Sequence, residues 1–230
     1  MKISVIIPVF NEEKFVLQTL EEVNKQKKNF NLEIIIIDDF STDNTLKIIE
    51  NNSNLFDKFI KNEKNYGKGR SIILGIKEAT GDLILLQDCD LEYDPEEYAK
   101  LIEPFTRYNA DVVLGSRFKG SGAKRIIYFT NHIANKFLTF LANLLLNRNF
   151  SDVETGYKVI KKKKLDLISL EQNRFGIEIE LIMKLSKLET KIYEVGINYN
   201  GRTYNEGKKI KFTDGIIAVF LIFYYFFKKK

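Results

Sequence analysis

Four stretches of the chain are unbroken runs of apolar and mostly β-branched residues, and helical spacing follows most of them. The runs lie within predicted strands at residues 3–10, 33–39, 83–87 and 111–118, and a less regular strand is predicted at 57–63. Strands that are buried on both faces have this continuous pattern, whereas strands with one solvent face alternate. Apolar strands separated by helices therefore predict an α/β fold, a mostly parallel, Rossmann-like sheet flanked by helices.

The segments between these runs carry helix signals. Ser41, Thr42 and Asp43 are capping candidates for one of the helices, since short polar side chains satisfy free amides at a helix start. The predicted helices cover residues 15–23, 41–50, 67–81, 94–105 and 175–189, and a final one starts near residue 213 after a strand at 191–199.

The composition allows one sizeable core. The chain has 230 residues, of which 44% are hydrophobic, and no stretch rich in glycine, serine or proline resembles a linker. A chain of this length buries enough surface for a single domain. We expect a domain at 1–215, with halves at 1–118 and 119–215, followed by an apolar helix with a basic tail at 216–230.

The charge indicates an anionic partner. The net charge is +5, and lysines cluster at 161–164, 207–212 and 228–230. Nucleic acid is disfavoured, because the basic residues are scattered rather than aligned on one helix. A single cysteine excludes an intramolecular disulfide and favours a reducing compartment, the cytoplasm. The N-terminal apolar run is broken by Pro8 and is too short for a signal peptide.

Carboxylates cluster where three of the predicted strands end. The strand at 33–39 ends in Asp38 and Asp39, the strand at 3–10 is followed by Glu12, and the strand at 83–87 is followed by Asp88 and Asp90. In parallel sheets the ligand site lies beyond the carboxyl ends of the strands, so we expect these side chains on one rim. Asp94 has a different explanation, because Asp-Pro-Glu-Glu is typical of a capped helix start.

The spacing of Asp88 and Asp90 indicates a metal site. Two residues apart in an extended segment, their side chains share one face, while Cys89 between them points into the core. Hard dications take oxygen ligands, and Mg²⁺ commonly uses one or two carboxylates together with substrate phosphates. A dication would offset the repulsion within this acidic cluster, to which Glu92 adds a further carboxylate.

Eight sequence blocks follow one another in an order that characterises one enzyme family. Four lie in the first half: SVIIPVFNEE (4–13), EIIIIDDFSTDNT (33–45), NYGKGRSIILGIKEATGD (65–82) and QDCDLEYDPEEY (87–98). Four follow: DVVLGSRF (111–118), DVETGYKVI (152–160), FGIEIEL (175–181) and GRTYNEGKKIKFTDG (201–215). Together they resemble family 2 glycosyltransferases, in the branch of polyprenyl-phosphate sugar synthases that includes dolichyl-phosphate mannose and glucose synthases.

The resemblance implies a GT-A fold and a role for each matching position. The positions for nucleotide-sugar binding are Pro8, Phe10, Asn11, Glu12, Asp39, Gly67, Lys68, Gly69 and Asp88. The metal positions are Asp88, Asp90 and Glu92, and the catalytic positions are Asp90, Arg117 and Arg202. Lys209 is a further cation for phosphates, and Asp152, Glu154 and Thr155 shape the acceptor pocket. Phe10 stands where the family more often has tyrosine, so a hydroxyl contact is lost there.

The implied reaction transfers a hexose from UDP-glucose or GDP-mannose to undecaprenyl or dolichyl phosphate, with Mg²⁺ or Mn²⁺ as cofactor. A lipid phosphate is already anionic, so the transfer needs no general base and inverts the anomeric carbon. The alternative is a saccharide acceptor in the synthesis of cell-surface polysaccharide or lipopolysaccharide, which would need a base.

A lipid acceptor would also account for two apolar segments, at 125–147 and 216–227. The second has 12 residues, about 18 Å as a helix, against a hydrocarbon core of about 30 Å. It is too short to span a bilayer, so we expect either two helices at the membrane surface, with Lys228–Lys230 near anionic headgroups, or two helices packed on the sheet. The expected location is peripheral, on the cytoplasmic face of the membrane.

Overall fold

The computed structural model describes residues 1–120, 125–126, 128–207, 209 and 212–228, the side chain of Phe212 excepted. The strands in this part of the chain are β1 (Ile3–Val9), β2 (Leu32–Asp38), β3 (Lys58–Lys61), β4 (Leu83–Leu86), β5 (Val112–Ser116), β6 (Lys158–Lys161) and β7 (Ile192–Gly196). The α-helices are α1 (Val16–Lys25), α2 (Thr45–Asn51), α3 (Lys68–Glu78), α4 (Tyr98–Arg107), α5 (Phe129–Leu146), α6 (Lys162–Leu165), α7 (Ile177–Ser186) and α8 (Phe212–Phe227).

These strands form one sheet in the order β3-β2-β1-β4-β6-β5-β7. β1 pairs in parallel with β2 and β4, and β2 pairs in parallel with β3. β6 is antiparallel to both of its neighbours, β4 and β5, whereas β7 is parallel to β5. Of the described strands, all except β6 therefore run in one direction, which confirms the predicted mostly parallel sheet flanked by helices.

β6 is a strand that the sequence pattern does not predict. It has four residues and begins and ends with lysine, so it lacks the apolar run that marks its neighbours. Lys158 is nevertheless fully buried, because its ammonium group donates to the carboxylate of Glu178. A buried charge is tolerated when it is paired, and such pairing leaves no trace in a local hydropathy pattern.

Alternate residues of the central strands pack into two core layers. Ile6 of β1 and Ile35 of β2 face the layer that also holds apolar side chains of α3, α5, α7 and α8. Val5 and Ile34 face the opposite layer, with side chains of α1 and α4. Full burial of one such side chain stabilises the fold by about 1.5–3 kcal/mol. Helices on both faces thus explain the continuous apolar strands.

Three of the central strands end in tight turns at one rim of the sheet. Asn11, Phe40 and Leu91 follow β1, β2 and β4, and their φ angles are 49°, 67° and 56°. Left-handed backbone of this kind is uncommon outside glycine and turns the chain sharply. The turns keep the residues beyond each strand end close to the rim, where the sequence predicts a ligand site.

The element boundaries lie within a few residues of the expected ones. The helix predicted at 67–81 ends at Glu78, because Ala79 is already extended. The C-terminal helix α8 begins at Phe212, close to the predicted start near residue 213. The apolar segment at 125–147 contains α5, which ends where Asn147 adopts left-handed backbone. The division of the chain after residues 118 and 215 stays a prediction.

Candidate active site

The segment after β4 carries the acidic cluster of the site. Cys89 is buried, as predicted, and the left-handed turn at Leu91 brings the amide of Glu92 to 3.1 Å from Asp90 Oδ1. Asp94 caps the next helical turn, since its carboxylate accepts from the amide of residue 96 at 2.9 Å. The role of Asp94 as a helix cap explains why this acid stands apart from the cluster.

A lysine from the start of α3 neutralises Asp88. The ammonium group of Lys68 lies 2.6 Å from Asp88 Oδ1 and 3.0 Å from Glu178 Oε1. Burial lowers the pKa of Lys68, but the two carboxylates outweigh that effect and raise it above its ordinary value. Lys68 is thus a permanent cation that joins the end of β4 to α7.

An arginine from the segment between β7 and α8 neutralises the rest of the cluster. Arg202 Nη2 lies 2.9 Å from Asp90 Oδ2, and Arg202 Nη1 lies 3.1 Å from Glu12 Oε2. Its backbone amide donates to Glu92 Oε1 at 2.7 Å, and the Tyr199 hydroxyl donates to the other oxygen of Glu92 at 2.6 Å. Two of the predicted metal positions and one predicted catalytic arginine are therefore brought together.

The carboxylate oxygens of this cluster are ligands that fit a divalent cation. Burial raises the pKa of Asp90 to about 7, and the charges of Asp88 and Glu92 act in the same direction, against Arg202. Such mutual repulsion is what a dication relieves. Among the described residues, no group of three or more acid, histidine or cysteine side chains is arranged to hold a metal. Two carboxylates completed by substrate phosphates match the coordination typical of Mg²⁺.

The residues after β1 and β2 that are predicted to bind the nucleotide form hydrogen bonds to loops of the protein itself. Asn11 holds the loop after β2, since its side chain accepts from the Thr42 amide at 2.8 Å. Asp39 accepts from Asn62 at 2.7 Å and from the amides of residues 66 and 67 at 2.9 and 2.7 Å. Asp39 thereby holds the turn that precedes Lys68.

The remaining nucleotide positions lie in β1, just after it and at the start of α3. Pro8 sits within β1, in register with β2, and the carbonyl of Phe10 accepts from Lys209. Gly67 has a φ of 102°, which favours glycine. A Cβ on Gly69 would lie 2.1 Å from the carbonyl oxygen of residue 172, so only glycine permits this approach of α3 to the loop before α7.

The other predicted catalytic arginine lies in a separate ion pair. Arg117 Nε and Nη2 each donate to the buried carboxylate of Asp152 at 2.7 Å. Burial opposes both charges, but Asp152 raises the pKa of Arg117 and Arg117 lowers the pKa of Asp152, so both stay ionised. The guanidinium also lies 5.3 Å from the ring centre of Tyr199, whose hydroxyl binds Glu92. Tyr199 thus connects Arg117 to the acidic cluster.

A small cavity opens beside Asp90 and Arg202. Its volume is about 190 Å³, and Arg125 and Glu206 also line it. Arg125 lies 2.8 Å from Glu206 and shortly precedes α5 in the chain. The cavity therefore combines an acid of the cluster with two guanidinium groups close to the beginning of an apolar helix.

Two further residues support the site without a local sequence signal. Glu178 lies in α7 and holds Lys68, and Tyr199 follows β7 and orients Glu92. Each lies in a segment whose hydropathy pattern is that of a helix or strand packed on the core, so the pattern does not mark it as a site residue. Only the family block at 175–181 draws attention to Glu178, and no block contains Tyr199.

Residues 4–168, more than half of the chain, match the family described as Glycosyl transferase family 2. The chain belongs to glycosyl transferase family 2. The protein is a glycosyltransferase, as the resemblance predicts.

Two curated relatives are named for transfer to a dolichyl lipid. A protein of Methanococcus voltae, "UDP-N-acetylglucosamine--dolichyl-phosphate N-acetylglucosaminyltransferase", is 32% identical over 96% of this chain and 93% of its own length. A "Dolichol-phosphate mannosyltransferase" of Pyrococcus furiosus is 29% identical over 91% of this chain. The chain spans 61% of the length of that second relative. These names support the predicted branch of the family.

Solved structures share the architecture. Glucosyl-3-phosphoglycerate synthase from Mycobacterium tuberculosis, in complex with Mg²⁺ and uridine diphosphate, has a TM-score of 0.75 at 16% identity, over 100% of this chain and 80% of that one. A complex of the same enzyme with Mn²⁺, uridine diphosphate and glucosyl-3-phosphoglycerate has a TM-score of 0.74 at 17% identity. The match covers 100% of this chain and 81% of that one. At such identity the likeness concerns the fold alone, and it confirms the GT-A fold.

Two helices of this family 2 glycosyltransferase have large exposed apolar faces. On α5 the exposed apolar side chains recur at helical spacing: Phe129, Ile133, Phe137, Phe140 and Leu144. On α8 they are Ile216, Ile217, Phe220, Phe223, Tyr224 and Phe227. The two helices pack on each other and on the core. None of the helices within the described ranges has the length and apolar character needed to cross a bilayer.

Proposed function

We propose that this glycosyltransferase moves a sugar from a nucleotide diphosphate sugar to a polyprenyl phosphate. The observation that carries the proposal is the cavity lined by Asp90, Arg202 and Arg125 close to the start of α5. An acceptor with an anionic head and an apolar tail requires a cationic site next to an apolar surface. Guanidinium groups suit phosphate because their fork geometry allows two parallel hydrogen bonds.

The names of the two relatives support this class of acceptor, but they differ in the sugar that is transferred. One is named for N-acetylglucosamine transfer and the other for mannose transfer, each to a dolichyl lipid. Together with the glucose that the resemblance implies, the donor candidates are UDP-glucose, GDP-mannose and UDP-N-acetylglucosamine.

A divalent metal is part of the proposal. Asp88 and Asp90 would hold it, with Glu92 close by, and the ion would stabilise the charge that develops on the departing diphosphate. Lys68, at 2.6 Å from Asp88, is placed to bind a diphosphate oxygen once that carboxylate is otherwise engaged. Mg²⁺ and Mn²⁺ are the candidate ions, and both occur in complexes of the mycobacterial enzyme.

The arginines of this chain bind and orient the acceptor in the proposed transfer. Arg202 and Arg125 hold the acceptor phosphate and bring its oxygen into line with the anomeric carbon, against repulsion from the donor diphosphate. The attacking oxygen is ionised at neutral pH, so no side chain has to remove a proton. A single displacement then inverts the anomeric configuration. Arg117, fixed by Asp152, supports this arrangement through Tyr199.

The apolar faces of α5 and α8 are proposed to lie on a lipid surface, which makes the enzyme peripheral. Their exposed side chains include Phe129 at 73%, Phe140 at 60% and Phe220 at 65% exposure. A polyprenyl chain is held in a bilayer, so a cavity that receives its phosphate has to face that bilayer. The cytoplasmic face of the membrane is the side that we propose. Lys228 pairs with Glu171, and the last two lysines of the chain, also expected near headgroups, lie outside the described residues.

A second candidate function, transfer to a saccharide, is favoured by Glu154. Burial raises the pKa of Glu154 to about 7, and the charge of Glu178 adds to that effect. Its Oε1 is buried and has no hydrogen-bond partner among the described residues. A carboxylate with a pKa near neutrality is suited to take a proton from a sugar hydroxyl. This alternative predicts that Glu154→Gln abolishes transfer, whereas lipid-phosphate transfer tolerates the substitution.

The deciding experiment offers each radiolabelled sugar nucleotide to the protein with Mn²⁺ or Mg²⁺ and with polyprenyl phosphate in phospholipid vesicles. We expect label from one donor in the organic-extractable fraction, dependent on the metal and retained in Glu154→Gln. Label that appears only in water-soluble glycan when a saccharide is supplied, and that is lost in Glu154→Gln, would establish the second function instead.

A further inference from the structure

Three polar side chains lie on one face of α5, four residues apart: Asn135, Thr139 and Asn143. Residues at this spacing follow one another along the same side of a helix. Asn143 accepts from the amide of Phe150 and donates to its carbonyl, at 2.8 Å in each case. The Thr139 hydroxyl accepts from the amide of Val153 at 3.3 Å. This polar face therefore fastens to α5 the segment that precedes β6.

Asn135 bridges the ion pair of Arg117 and Asp152. In the orientation of its amide that satisfies both partners, the oxygen of Asn135 accepts from Arg117 Nη2 at 2.6 Å, and its nitrogen donates to Asp152 Oδ1 at 3.3 Å. Asp152 is fully buried and accepts from Arg117 Nε and Nη2 at 2.7 Å each. One amide can serve both members of the pair because it carries a donor and an acceptor.

These contacts occupy one edge of the Arg117 guanidinium and leave the other open. A guanidinium carries five N–H donors, one on Nε and two on each terminal nitrogen. The donors of Nε and Nη2 are bound by Asp152 and Asn135, whereas Nη1 makes no hydrogen bond to any described residue. The side chain is only 14% exposed, and charged donors at that depth are normally paired. Nη1 is therefore the atom that remains for an anion in the site.

A different side of α5 is apolar. Ile133, Phe137 and Phe140 are each more than half exposed, and this side is the one proposed to lie on lipid. A helix with its side chains is about 10 Å across. The helix that would rest on the lipid surface thus also sets the distance of Arg117 from that surface, through Asn135.

We propose that Asn135 is a positioning residue for Arg117, which it holds so that Nη1 is free to bind the acceptor phosphate. Donors that are already fixed bind a phosphate better than mobile ones, because less rotamer freedom is lost on binding. The inference rests on the proposed polyprenyl-phosphate function and adds to it a residue that lies in none of the eight family blocks.

The first test compares Asn135→Ala with Asn131→Ala, an asparagine one turn earlier in α5 that forms no hydrogen bond with the pair of Arg117 and Asp152. We expect the KM for polyprenyl phosphate in vesicles to rise about tenfold in Asn135→Ala alone, as for the loss of one hydrogen bond to a charged group. The Kd of uridine diphosphate with Mn²⁺, measured by calorimetry, should stay within about twofold in both variants. An unchanged acceptor KM in Asn135→Ala, or an equal rise in Asn131→Ala, would overturn the proposal.

A double-mutant cycle shows whether Asn135 acts through the arginine. Arg117→Lys removes the guanidinium but keeps a cation beside the buried Asp152, so that this carboxylate is not left unpaired. In Arg117→Lys, the further change Asn135→Ala should alter kcat/KM for the acceptor by no more than about twofold, because residues that act as one unit are not additive. Fully additive losses would contradict the proposal. Thermal melting confirms that each variant folds, and Asn135→Ser replaces Asn135→Ala if it does not.

A spectroscopic measurement needs no acceptor. The Nε–H of Arg117, identified in ¹H–¹⁵N spectra by its loss in Arg117→Lys, should exchange with solvent about tenfold faster in Asn135→Ala and at the wild-type rate in Asn131→Ala. An unchanged exchange rate in Asn135→Ala would overturn the proposal. If the wild-type protein forms no lipid-linked product but the exchange is faster as expected, the proposed acceptor is wrong while the positioning of Arg117 by Asn135 stands.

Discussion

The guanidinium of Arg202 lies 2.9 Å from the carboxylate of Asp90, a residue 112 positions earlier in the chain. The same carboxylate is a ligand in the proposed metal site. A dication bound by Asp90 would draw electron density from the oxygen that accepts from Arg202, so we expect metal binding to weaken this contact. The weakened arginine would then be free to bind a phosphate in the acceptor cavity.

Removal of Arg202 is expected to tighten the binding of the metal alone. In Arg202→Gln, Asp90 no longer loses a charge-assisted hydrogen bond when Mn²⁺ binds, so we expect the Kd for Mn²⁺ to fall about tenfold. Electron paramagnetic resonance of free Mn²⁺ measures this without nucleotide or acceptor. Transfer activity should fall in the same variant, because the acceptor phosphate loses its guanidinium.

Arg125 provides the matched control for that measurement. It lines the same cavity and carries the same charge, but it pairs with Glu206 at 2.8 Å. Arg125→Gln should change the Kd for Mn²⁺ by no more than about twofold, since the long-range repulsion between an exposed guanidinium and the metal ion is screened. Equal tightening in both variants would mean that only the net charge of the cleft matters.

Loss of the aspartate pair is expected to abolish transfer. Asp88→Asn and Asp90→Asn each remove a carboxylate from the proposed metal site, and we expect a fall in kcat of about 100-fold or more for each. Asp94→Asn is the control, because asparagine caps a helix about as well as aspartate does. Its activity should stay within about twofold. Wild-type turnover by the double variant Asp88→Asn and Asp90→Asn would remove the basis of the metal proposal.

The sequence predicts those features of the fold that depend on residues close to one another in the chain. The apolar run of β1 identifies a doubly buried strand, and the Asp-Pro-Glu-Glu pattern correctly places a helix cap at Asp94. Cys89, between two acids, is buried as predicted, although residues 89 and 90 lie in a turn after β4 and not in the extended segment that the prediction assumed. These features depend on neighbours in the chain, so their pattern is visible without a structure.

Contacts between distant segments have no local pattern. β6 is hidden because its buried Lys158 is paired with Glu178, and neither residue reveals the other in the sequence. The same holds for Glu12, whose place in a family block predicts a contact with the nucleotide and whose carboxylate pairs with Arg202 and Lys209. Hydropathy shows which face of an element is buried but not which charge from another element meets it there.

The apolar faces of α5 and α8 should mediate binding to membranes. Phe140 and Phe220 are both largely exposed, and burial of such a side chain is worth about 1.5–3 kcal/mol. We expect Phe140→Glu together with Phe220→Glu to lower the partition coefficient into phospholipid vesicles by about tenfold or more. Co-sedimentation with vesicles that contain anionic lipid measures the change.

Leu167→Glu is the control for that experiment, because Leu167 is 65% exposed and lies just after α6, outside both apolar helices. It should partition as the wild-type protein does. An equal loss in Leu167→Glu would show that added negative charge alone repels the vesicles. If the protein is a dimer in solution and the Phe140 and Phe220 variant is a monomer, a second copy of the chain covers these faces instead.

A buried carboxylate near the start of β2 makes the fold sensitive to acid. Glu33 accepts from the Ser4 hydroxyl at 2.5 Å and from the Thr80 amide at 2.9 Å. Lys2 and Lys58 lie 3.3 and 3.4 Å away. Burial by itself would raise the pKa of Glu33, but these hydrogen bonds lower it from 4.5 to about 2.

Glu33→Gln should therefore destabilise the protein at neutral pH and lose its effect in acid. Because the pKa of Glu33 is lower in the folded than in the unfolded state, the ionised carboxylate stabilises the fold fully above about pH 4.5, and that contribution disappears as the pH falls toward 2. The difference in the free energy of unfolding is expected to be about 2–3 kcal/mol at pH 7. Urea unfolding at pH 7, 4.5 and 3, with the exposed Glu50→Gln as control, follows the loss. A difference that stays constant down to pH 3 would mean that the substitution acts through packing and not through the charge of Glu33.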